Sequence, residues 1–200
     1  MDNFNSKHLS AQIPQVVIMM GVSGSGKSTI MKHLVSSWRP SSSSTPAVPI
    51  EGDDLHPAAN VAKMRSGTPL TDVDRMPWLD AVATEIIRVR SMGTAVVVTC
   101  SALRRVYRAH LAISAAPIEL CFVYMDMPER ELQARLEKRA GHYMPARLLA
   151  SQLATLEVPD PTVETEYRVV GVPVAPEMGP GDVAAAVAKA IGWIRVNQVD

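Results

Sequence analysis

The residues with the clearest chemical potential form a short glycine-rich loop. Residues 21–28, Gly-Val-Ser-Gly-Ser-Gly-Lys-Ser, fit the pattern G-x-x-x-x-G-K-[ST] of a phosphate-binding loop. Glycines allow successive backbone N–H groups to converge on an anion, and the N-terminus of a following helix adds partial positive charge. In such a loop Lys27 would meet the β- and γ-phosphates of a nucleoside triphosphate, and the Ser28 hydroxyl would meet Mg²⁺.

The sequence on either side of this loop supports the same interpretation. Residues 16–20 are an apolar run suited to a buried strand, and residues 29–35 place Ile30, Leu34 and Val35 on one face of a helix. Phosphate binding requires a strand, a glycine loop and a helix in this order. The alternative is a Gly/Ser turn that matches the pattern by chance, and these flanks disfavour it.

Three carboxylates follow the next short strand candidate, residues 48–51. They belong to Glu51, Asp53 and Asp54. In a doubly wound sheet the carboxyl ends of the strands line the ligand crevice, so these acids would lie beside the phosphate-binding loop. One carboxylate could order Mg²⁺, and another could accept the proton of an attacking hydroxyl. The alternative is an acidic turn whose aspartates cap a helix.

A basic cluster comes later in the chain, at Arg135, Arg139 and His142. The two arginines are four residues apart and would share one helical face. This spacing suits a basic lid that closes over ATP, with guanidinium groups near the base and the transferring phosphate. A solvent-exposed face whose arginines pair with Glu131 and Glu137 fits the same residues equally well, so both interpretations stay open here.

Apolar strand candidates alternate with helical patterns along the chain. The predicted strands are 16–20, 48–51, 95–100, 118–125 and 167–170, and the later predicted helices are 77–92, 104–113, 128–138, 145–156 and 182–196. Pro77 is expected in the first turn of its helix, and Asp182 is expected to cap the last one. This alternation predicts an α/β fold in which helices cover both faces of a parallel sheet.

The composition limits the classes of protein to which the chain can belong. The 200 residues suit one domain, and 20 basic against 20 acidic residues give no net charge, which makes nucleic acid an unexpected partner. No apolar stretch approaches the roughly 20 residues needed to span a bilayer. Cys100 and Cys121 lie in apolar strand-like runs and are predicted to be buried free thiols rather than a disulfide. We therefore expect a soluble cytoplasmic protein with no membrane partner.

The phosphate-binding loop alone does not select one reaction, because switches, motors, transport ATPases and small-molecule kinases all carry it. The strings D-x-x-G and N-K-x-D, usual in guanine-nucleotide switches, are absent. The strand candidate 95–100 ends without an acid, so the acidic partner of a metal is expected from the Glu51 cluster.

Beyond these features, the chain resembles the gluconokinases, P-loop kinases similar to shikimate and adenylate kinases. The matching stretches are Gly21 to Thr29; Glu51 to Pro57 with Asn60, Lys63, Met64, Gly67, Pro69 and Leu70; Asp72, Asp74, Arg75 and Pro77 to Leu79; Cys100 to Arg105 with Tyr107 and Arg108; and Arg135, Arg139, Gly141, His142, Ser151, Gln152, Leu156 and Glu157. They run in order from about residue 16 to residue 159, and the block from Glu51 to Leu79 is the most specific to the family.

The resemblance implies an architecture. It is a single three-layer α/β/α domain with a mostly parallel five-stranded sheet, whose core covers about 15–56 and 93–198. A helical substrate-binding segment is expected at about 56–92 and a mobile lid at about 135–147. A Ser/Pro-rich insertion at about 39–47 is expected to be flexible. Dimers are common among such relatives, so a homodimer is also implied.

The resemblance also implies an activity, the ATP-dependent phosphorylation of D-gluconate on its 6-hydroxyl with Mg²⁺. A kinase for another small hydroxy acid or a nucleotide is the alternative from the same class, and a binding module that has lost catalysis is the alternative from another class. Intact Lys27, Ser28 and Asp53 argue against the loss of catalysis.

Residue roles follow from the same resemblance. The ATP phosphates would be held by Gly21, Val22, Ser23, Gly24, Ser25, Gly26, Lys27, Ser28 and Thr29. Arg135 would lie along the adenine, and Arg139 would contact the transferring phosphate. Asp53 would be the catalytic base, and Ser28 and Glu51 would serve the metal, although relatives often have Asp at the Glu51 position. The sugar acid would be surrounded by Asp53, His56, Lys63, Arg75, Arg104 and His142.

Overall fold

A five-stranded sheet lies at the centre of the molecule. The computed structural model describes residues 14–37, 47–138 and 146–193. In chain order the elements are β1 Val16–Met20, α1 Lys27–Ser37, β2 Val48–Glu51, a 3₁₀ helix Gly52–Leu55, α2 Ala58–Arg65, α3 Asp72–Arg90, β3 Val96–Thr99, α4 Arg105–Ser114, β4 Leu120–Asp126, α5 Glu129–Lys138, α6 Ala146–Thr155, β5 Arg168–Pro173 and α7 Pro180–Ile191.

The strand order is β2-β3-β1-β4-β5, and every neighbouring pair is parallel. β1 is the central strand and pairs with β3 on one side and β4 on the other. All of its residues are fully buried, because a parallel sheet is covered on both faces. The chain leaves β1 at a point where the sheet continues in both directions, which is where α/β sheets place their ligand crevice. The predicted α/β fold with five parallel strands is confirmed.

Alternate residues of β1 enter two separate hydrophobic cores. Val17 and Met19 pack with the core that contains the buried residues of α1 and α7, whereas Val16, Ile18 and Met20 pack with the core that contains those of α3. The period of two along a strand sends successive side chains to opposite faces. The result is the predicted three-layer arrangement, in which the sheet lies between two layers of helices.

The third α-helix begins earlier than the sequence pattern predicted. It starts at Asp72 rather than near Pro77, because Thr71 and Asp74 form a capping box. The Asp74 carboxylate accepts from the Thr71 N–H at 2.9 Å, and the Thr71 hydroxyl accepts from the Asp74 N–H. Pro77 is therefore inside the helix, where it cannot donate to the carbonyl of Val73. The prediction of Pro77 in the first turn was wrong.

The last helix of the described residues also starts at a position other than the one predicted. Gly179 is its N-cap and Pro180 occupies the first helical position, so the prediction of Asp182 as the cap was wrong. Asp182 instead reaches back, and its carboxylate accepts from the Gly179 N–H at 2.9 Å. The helix ends at Ile191 rather than at residue 196, because Gly192 takes a left-handed conformation with φ of 81°.

Two other expectations concern the thiols and membranes. Cys100 and Cys121 are both free and buried, as predicted. Burial raises the pKa of the Cys100 thiol to about 12 and that of the Cys121 thiol to about 11, so neither is a reactive thiolate.

Within the described ranges, no helix has the length and apolar character needed to cross a bilayer. Most of the insertion predicted at 39–47, and residues 139–145 of the predicted lid, lie outside the described residues.

Candidate active site

The glycine-rich loop connects β1 to α1, as its motif predicted. Gly24 and Gly26 have φ values of 85° and 92°, conformations that side chains rarely adopt. The Lys27 ammonium donates to the carbonyls of Gly21 and Val22 at 3.0 and 2.9 Å, so the side chain folds back over the loop. The loop therefore combines curled backbone, a lysine and a helix N-terminus, which together suit a polyphosphate.

Helix α5 packs directly against this loop. A Cβ on Gly24 would lie 3.1 Å from Leu136 Cγ and 3.3 Å from the Leu132 carbonyl oxygen, so glycine permits the close approach. The contacts of Arg135, in the same helix, are compatible with both interpretations left open by the sequence, a basic lid over ATP and a surface ion pair. Its Nε donates to Glu131 at 2.9 Å, and its side chain also lines the cavity in front of the loop. Arg139 and His142 lie outside the described residues.

A cavity of about 570 Å³ opens in front of the phosphate-binding loop. It brings together side chains that lie far apart in the sequence. Lys27, Ser28, Asp53, His56, Arg75 and Arg135 all line it. One end is thus the phosphate-binding loop, and the other carries a carboxylate, an imidazole and a guanidinium from the segment that follows β2. A donor of phosphate and a polar acceptor could meet in such a space.

The two residues predicted for a metal contact each other. Ser28 Oγ donates to Glu51 Oε2 at 2.9 Å, and Thr99 Oγ1 donates to the same oxygen at 2.6 Å. The Gly52 N–H in turn donates to Thr99 Oγ1 at 3.2 Å, which fixes the direction of the threonine hydroxyl. A hydroxyl beside a carboxylate is an oxygen-rich set that suits Mg²⁺. The longer Glu51 side chain therefore does reach the loop serine.

Thr99 is a site residue that the sequence reasoning missed. It ends β3 and lies opposite Glu51 in the register of β2 and β3. The strand ends without an acid, and its polar C-terminal residue carries no motif of its own. The available signal was a hydroxyl at the end of a strand of three valines, at the edge of the sheet where ligands bind.

His56 lies at the cavity wall against the ring of Trp78. Its ring stacks on Trp78 with centroids 4.2 Å apart and an interplanar angle of 15°, and the Trp78 Nε1–H donates to the Gly52 carbonyl at 2.7 Å. Burial lowers the pKa of His56 to about 4; Asp53 opposes this shift and Arg75 adds to it. The imidazole is therefore neutral at pH 7, so it can donate one hydrogen bond and accept another.

Arg75 presents a guanidinium to the same space. Its Nε is buried, and no hydrogen-bond acceptor lies within reach of it in the described part of the chain. Its guanidinium carbon lies 5.7 Å from the centroid of the Tyr107 ring, a cation–π contact. An unsatisfied buried donor costs about 1–3 kcal/mol. The Arg75 side chain also lines the cavity, where its charge would favour an anionic ligand.

Lys63 and Arg104, predicted as substrate ligands, do not line this cavity. Lys63 Nζ pairs with Asp74 at 2.5 Å, and Arg104 pairs with Asp72 at 2.5 Å and with Glu157 at 3.3 Å. These carboxylates already pair with the two positive charges that would bind a substrate anion. Direct contact of either residue with a substrate stays a prediction.

Gln152 of α6 is a second residue whose role the sequence did not indicate. Its Oε1 accepts from the Ser23 N–H of the phosphate-binding loop at 2.7 Å, across 129 positions of sequence. Gln152 also lines the main cavity. It therefore ties the helix that follows the predicted lid to the loop.

A smaller cavity of about 190 Å³ lies on the other side of Arg135. It is bounded by Gly26 and Thr29 of the loop region and by Val174 and Met178, which follow β5. Its walls combine apolar side chains with the arginine. A flat aromatic base attached to a phosphate in the loop could be received there.

Comparison with known proteins places this chain in a family. Residues 16–159 match the model of a family described as an AAA domain. A gluconokinase from Gluconobacter oxydans is 48% identical over 149 residues, which cover 73% of this chain and 77% of that protein. The crystal structure of a gluconokinase from Sinorhizobium meliloti superposes with a TM-score of 0.72 at 38% identity, over 90% of this chain and 93% of that one. An unliganded sugar kinase from Janibacter sp. gives a TM-score of 0.77 at 34% identity, over 90% and 95% of the two chains. The sequence relationship and the shared fold agree, and the chain belongs to the gluconokinase family.

Proposed function

We propose that this protein transfers the γ-phosphoryl group of ATP to the 6-hydroxyl of D-gluconate, giving 6-phospho-D-gluconate and ADP. One observation carries the proposal: Lys27 and Ser28 of the phosphate-binding loop line the same cavity as Asp53, His56 and Arg75. Membership of the gluconokinase family supports gluconate as the acceptor.

The donor end of the cavity suits ATP with Mg²⁺. The backbone N–H groups of the loop and the Lys27 ammonium would bind the phosphates, and Ser28 and Glu51 would hold the metal. Mg²⁺, when bound, neutralises charge on the phosphate oxygens. The cavity beside Arg135, Val174 and Met178 would receive the adenine.

The acceptor end suits a sugar acid. Arg75 would bind the carboxylate through its planar guanidinium, and the neutral His56 would hydrogen-bond a hydroxyl. Asp53 would accept the proton of the 6-hydroxyl as that oxygen attacks the γ-phosphorus. The bond from the γ-phosphorus to the β–γ bridging oxygen breaks, and ADP leaves with that oxygen. Arg139 would contact the transferring phosphate and His142 the sugar acid, as the family resemblance implies.

A coupled assay tests the reaction directly. Purified protein with Mg²⁺-ATP should form ADP in proportion to added D-gluconate, and 6-phosphogluconate should be detected in equal amount. Glucose should support much slower ADP formation, because it lacks the carboxylate that Arg75 would bind, and shikimate and nucleoside monophosphates should also be slower, because their rings differ in shape from the open chain of gluconate. ADP formation that does not depend on gluconate would contradict the proposal.

The carboxylate partner can be identified by comparing two arginine variants. Arg75→Lys should raise the KM for gluconate about 10–100-fold, the range for a lost charge-assisted hydrogen bond, with a smaller change in kcat. Arg104→Lys tests the second predicted ligand in the same way. If Arg104 rather than Arg75 binds the carboxylate, the order of the two KM effects will reverse. Equal falls in kcat and kcat/KM would point instead to contact with the phosphate.

Thr99→Val tests the hydroxyl that holds Glu51. The substitution keeps the shape of the side chain but removes the donor to Glu51 Oε2 and the acceptor for the Gly52 N–H. We expect the Mg²⁺ concentration for half-maximal activity to rise about tenfold, because a freer carboxylate binds the metal less well. Thr99→Ser, which keeps the hydroxyl, is the matched control and should restore most of the metal affinity. No difference between the two variants would show that Thr99 does not act through Glu51.

A further inference from the structure

A buried amide lies next to the ring of His56. Asn60 of α2 is only 4% exposed. Its Nδ2 donates to the backbone carbonyl of Asp74 at 2.7 Å and lies 3.4 Å from His56 Nδ1. Buried polar side chains are retained where their hydrogen bonds are satisfied, and this amide nitrogen lies near a possible partner on each of two different segments.

These two contacts favour one tautomer of the imidazole. The Asp74 carbonyl can only accept, so the atom facing it must be the amide nitrogen and not the amide oxygen. The second hydrogen on that nitrogen then faces His56 Nδ1. An amide nitrogen does not accept hydrogen bonds, so Nδ1 must be the acceptor, and in a neutral ring the proton is on Nε2.

We propose that Asn60 is a positioning residue that holds His56 as the Nε2–H tautomer, so that the ring offers a hydrogen-bond donor to an oxygen of the sugar acid. The nature of that ligand rests on the proposed function; the tautomer does not. Asn60 itself does not line the cavity, whereas His56 does. Asn60 therefore acts through the histidine.

The other neighbours of the ring fix its plane and keep it neutral. Trp78 stacks on it from α3. The charged groups that act on it are Asp53 of the 3₁₀ helix, which favours the protonated ring, and Arg75 of α3, which disfavours it. Burial outweighs Asp53 and keeps the pKa low, so the ring has a single proton in the range where a kinase would be assayed. The position of that single proton then decides whether the ring can donate.

The tautomer can be measured without any assay of activity. Long-range ¹H–¹⁵N spectra of protein labelled at its five histidines report which ring nitrogen carries the proton. The His56 signal is assigned by its loss in His56→Gln. We expect protonated Nε2 and unprotonated Nδ1 in the wild type. A protonated Nδ1 would overturn the proposal even if gluconate-dependent ADP formation is observed.

Asn60→Asp reverses the polarity of the contact. A carboxylate can only accept, so the neutral ring should move its proton to Nδ1 and lose the donor at Nε2. At pH 8 we expect the KM for gluconate to rise about tenfold, the order of one lost hydrogen bond. The added charge also raises the pKa of His56, and the doubly protonated ring regains the Nε2–H. The ratio of variant to wild-type kcat/KM should therefore recover as the pH falls towards 6, and the ¹⁵N spectrum of the variant should show the second proton on the His56 ring over the same pH range, which a merely structural defect would not produce.

A double-mutant cycle separates positioning from folding. In His56→Gln the side-chain amide can replace the Nε2 donor but needs no tautomer, so adding Asn60→Ala should raise the KM by less than about twofold. In the wild-type background, Asn60→Ala should raise it several-fold. Equal effects in both backgrounds, or an Asn60→Asp variant that keeps the proton on Nε2, would overturn the proposal. If Asn60→Asp does not fold, the wild-type tautomer and the Asn60→Ala cycle still test whether Asn60 positions His56. Absence of any gluconate-dependent turnover would contradict the proposed reaction but leave the spectroscopic result standing.

Discussion

Asp53→Asn should lower kcat by at least about 10²-fold while ATP still binds. Asparagine has the same shape as aspartate, but its amide cannot take the proton that leaves the attacking hydroxyl. Asp53 lines the cavity from the 3₁₀ helix, next to His56 and across from the phosphate-binding loop. Steady-state kinetics give kcat, and calorimetric titration with ATP in the absence of gluconate gives the dissociation constant, which should change by less than about threefold.

The neighbouring residue provides a matched control for this experiment. Asp54 belongs to the same 3₁₀ helix, carries the same charge and is exposed, but it does not line the cavity. Asp54→Asn should therefore keep kcat within about twofold of the wild type. If both variants lose activity equally, the loss reflects the net charge of the segment rather than proton transfer. If Asp53→Asn retains near-normal turnover, Asp53 is not the base.

The local parts of this site could be predicted because their signals are contiguous. The loop motif, the strand before it and the acids after β2 each lie within a few residues. The rule that the carboxyl ends of parallel strands share one edge then predicts that Glu51 approaches Ser28, and the two are 2.9 Å apart. The capping box at Thr71 and Asp74 is also a local signal, and it places the start of α3 five residues before Pro77.

The contacts that join distant segments could not be predicted in this way. Gln152 reaches Ser23 across 129 positions, and Thr99 reaches Glu51 across 48. Neither pairing follows from periodicity or spacing, because the first depends on how α6 packs over the phosphate-binding loop and the second on the register of β2 and β3. Residue type alone does not mark either residue, and only the position of Thr99 at the end of β3 pointed to the ligand-binding edge of the sheet.

A buried ion pair away from the cavity also could not be predicted from the sequence. Arg108 and Glu164 are 1% and 3% exposed and are joined by two hydrogen bonds of 2.7 and 2.6 Å. Arg108 also donates to the carbonyl of Ala102, whose φ of 43° is unusual for a residue with a side chain. Hydrogen bonds from Arg108 and Tyr167 lower the pKa of Glu164 although burial opposes the shift. Sequence alone would have assigned both charges to the surface.

Gly52→Ala should have the largest effect on stability, because the new Cβ would collide with the backbone. It would lie 2.1 Å from the Thr99 carbonyl oxygen, in a part of the sheet where β2 and β3 are paired at Glu51 and Thr99. The strands can separate only by giving up that pairing, the Gly52 N–H contact to Thr99 Oγ1 and the Trp78 contact to the Gly52 carbonyl. Overpacking of this kind costs about 1–3 kcal/mol or more, which corresponds to a fall in melting temperature on the order of 5–10 °C for a chain of this size.

The same substitution should also disable the site in molecules that remain folded. Gly52 lies between Glu51 and Asp53, so any shift of its backbone moves both the metal carboxylate and the base, and a displacement of about 1 Å can cost on the order of 10²-fold in rate. Gly171→Ala in β5 is the matched control, because a Cβ there meets no atom within 4 Å and the melting temperature should change by less than about 2 °C. Thermal unfolding followed by circular dichroism, with kcat measured well below the transition, separates the two effects. A Gly52→Ala protein that melts and turns over like the Gly171→Ala protein would show that β2 and β3 are not held together as tightly as their contacts indicate.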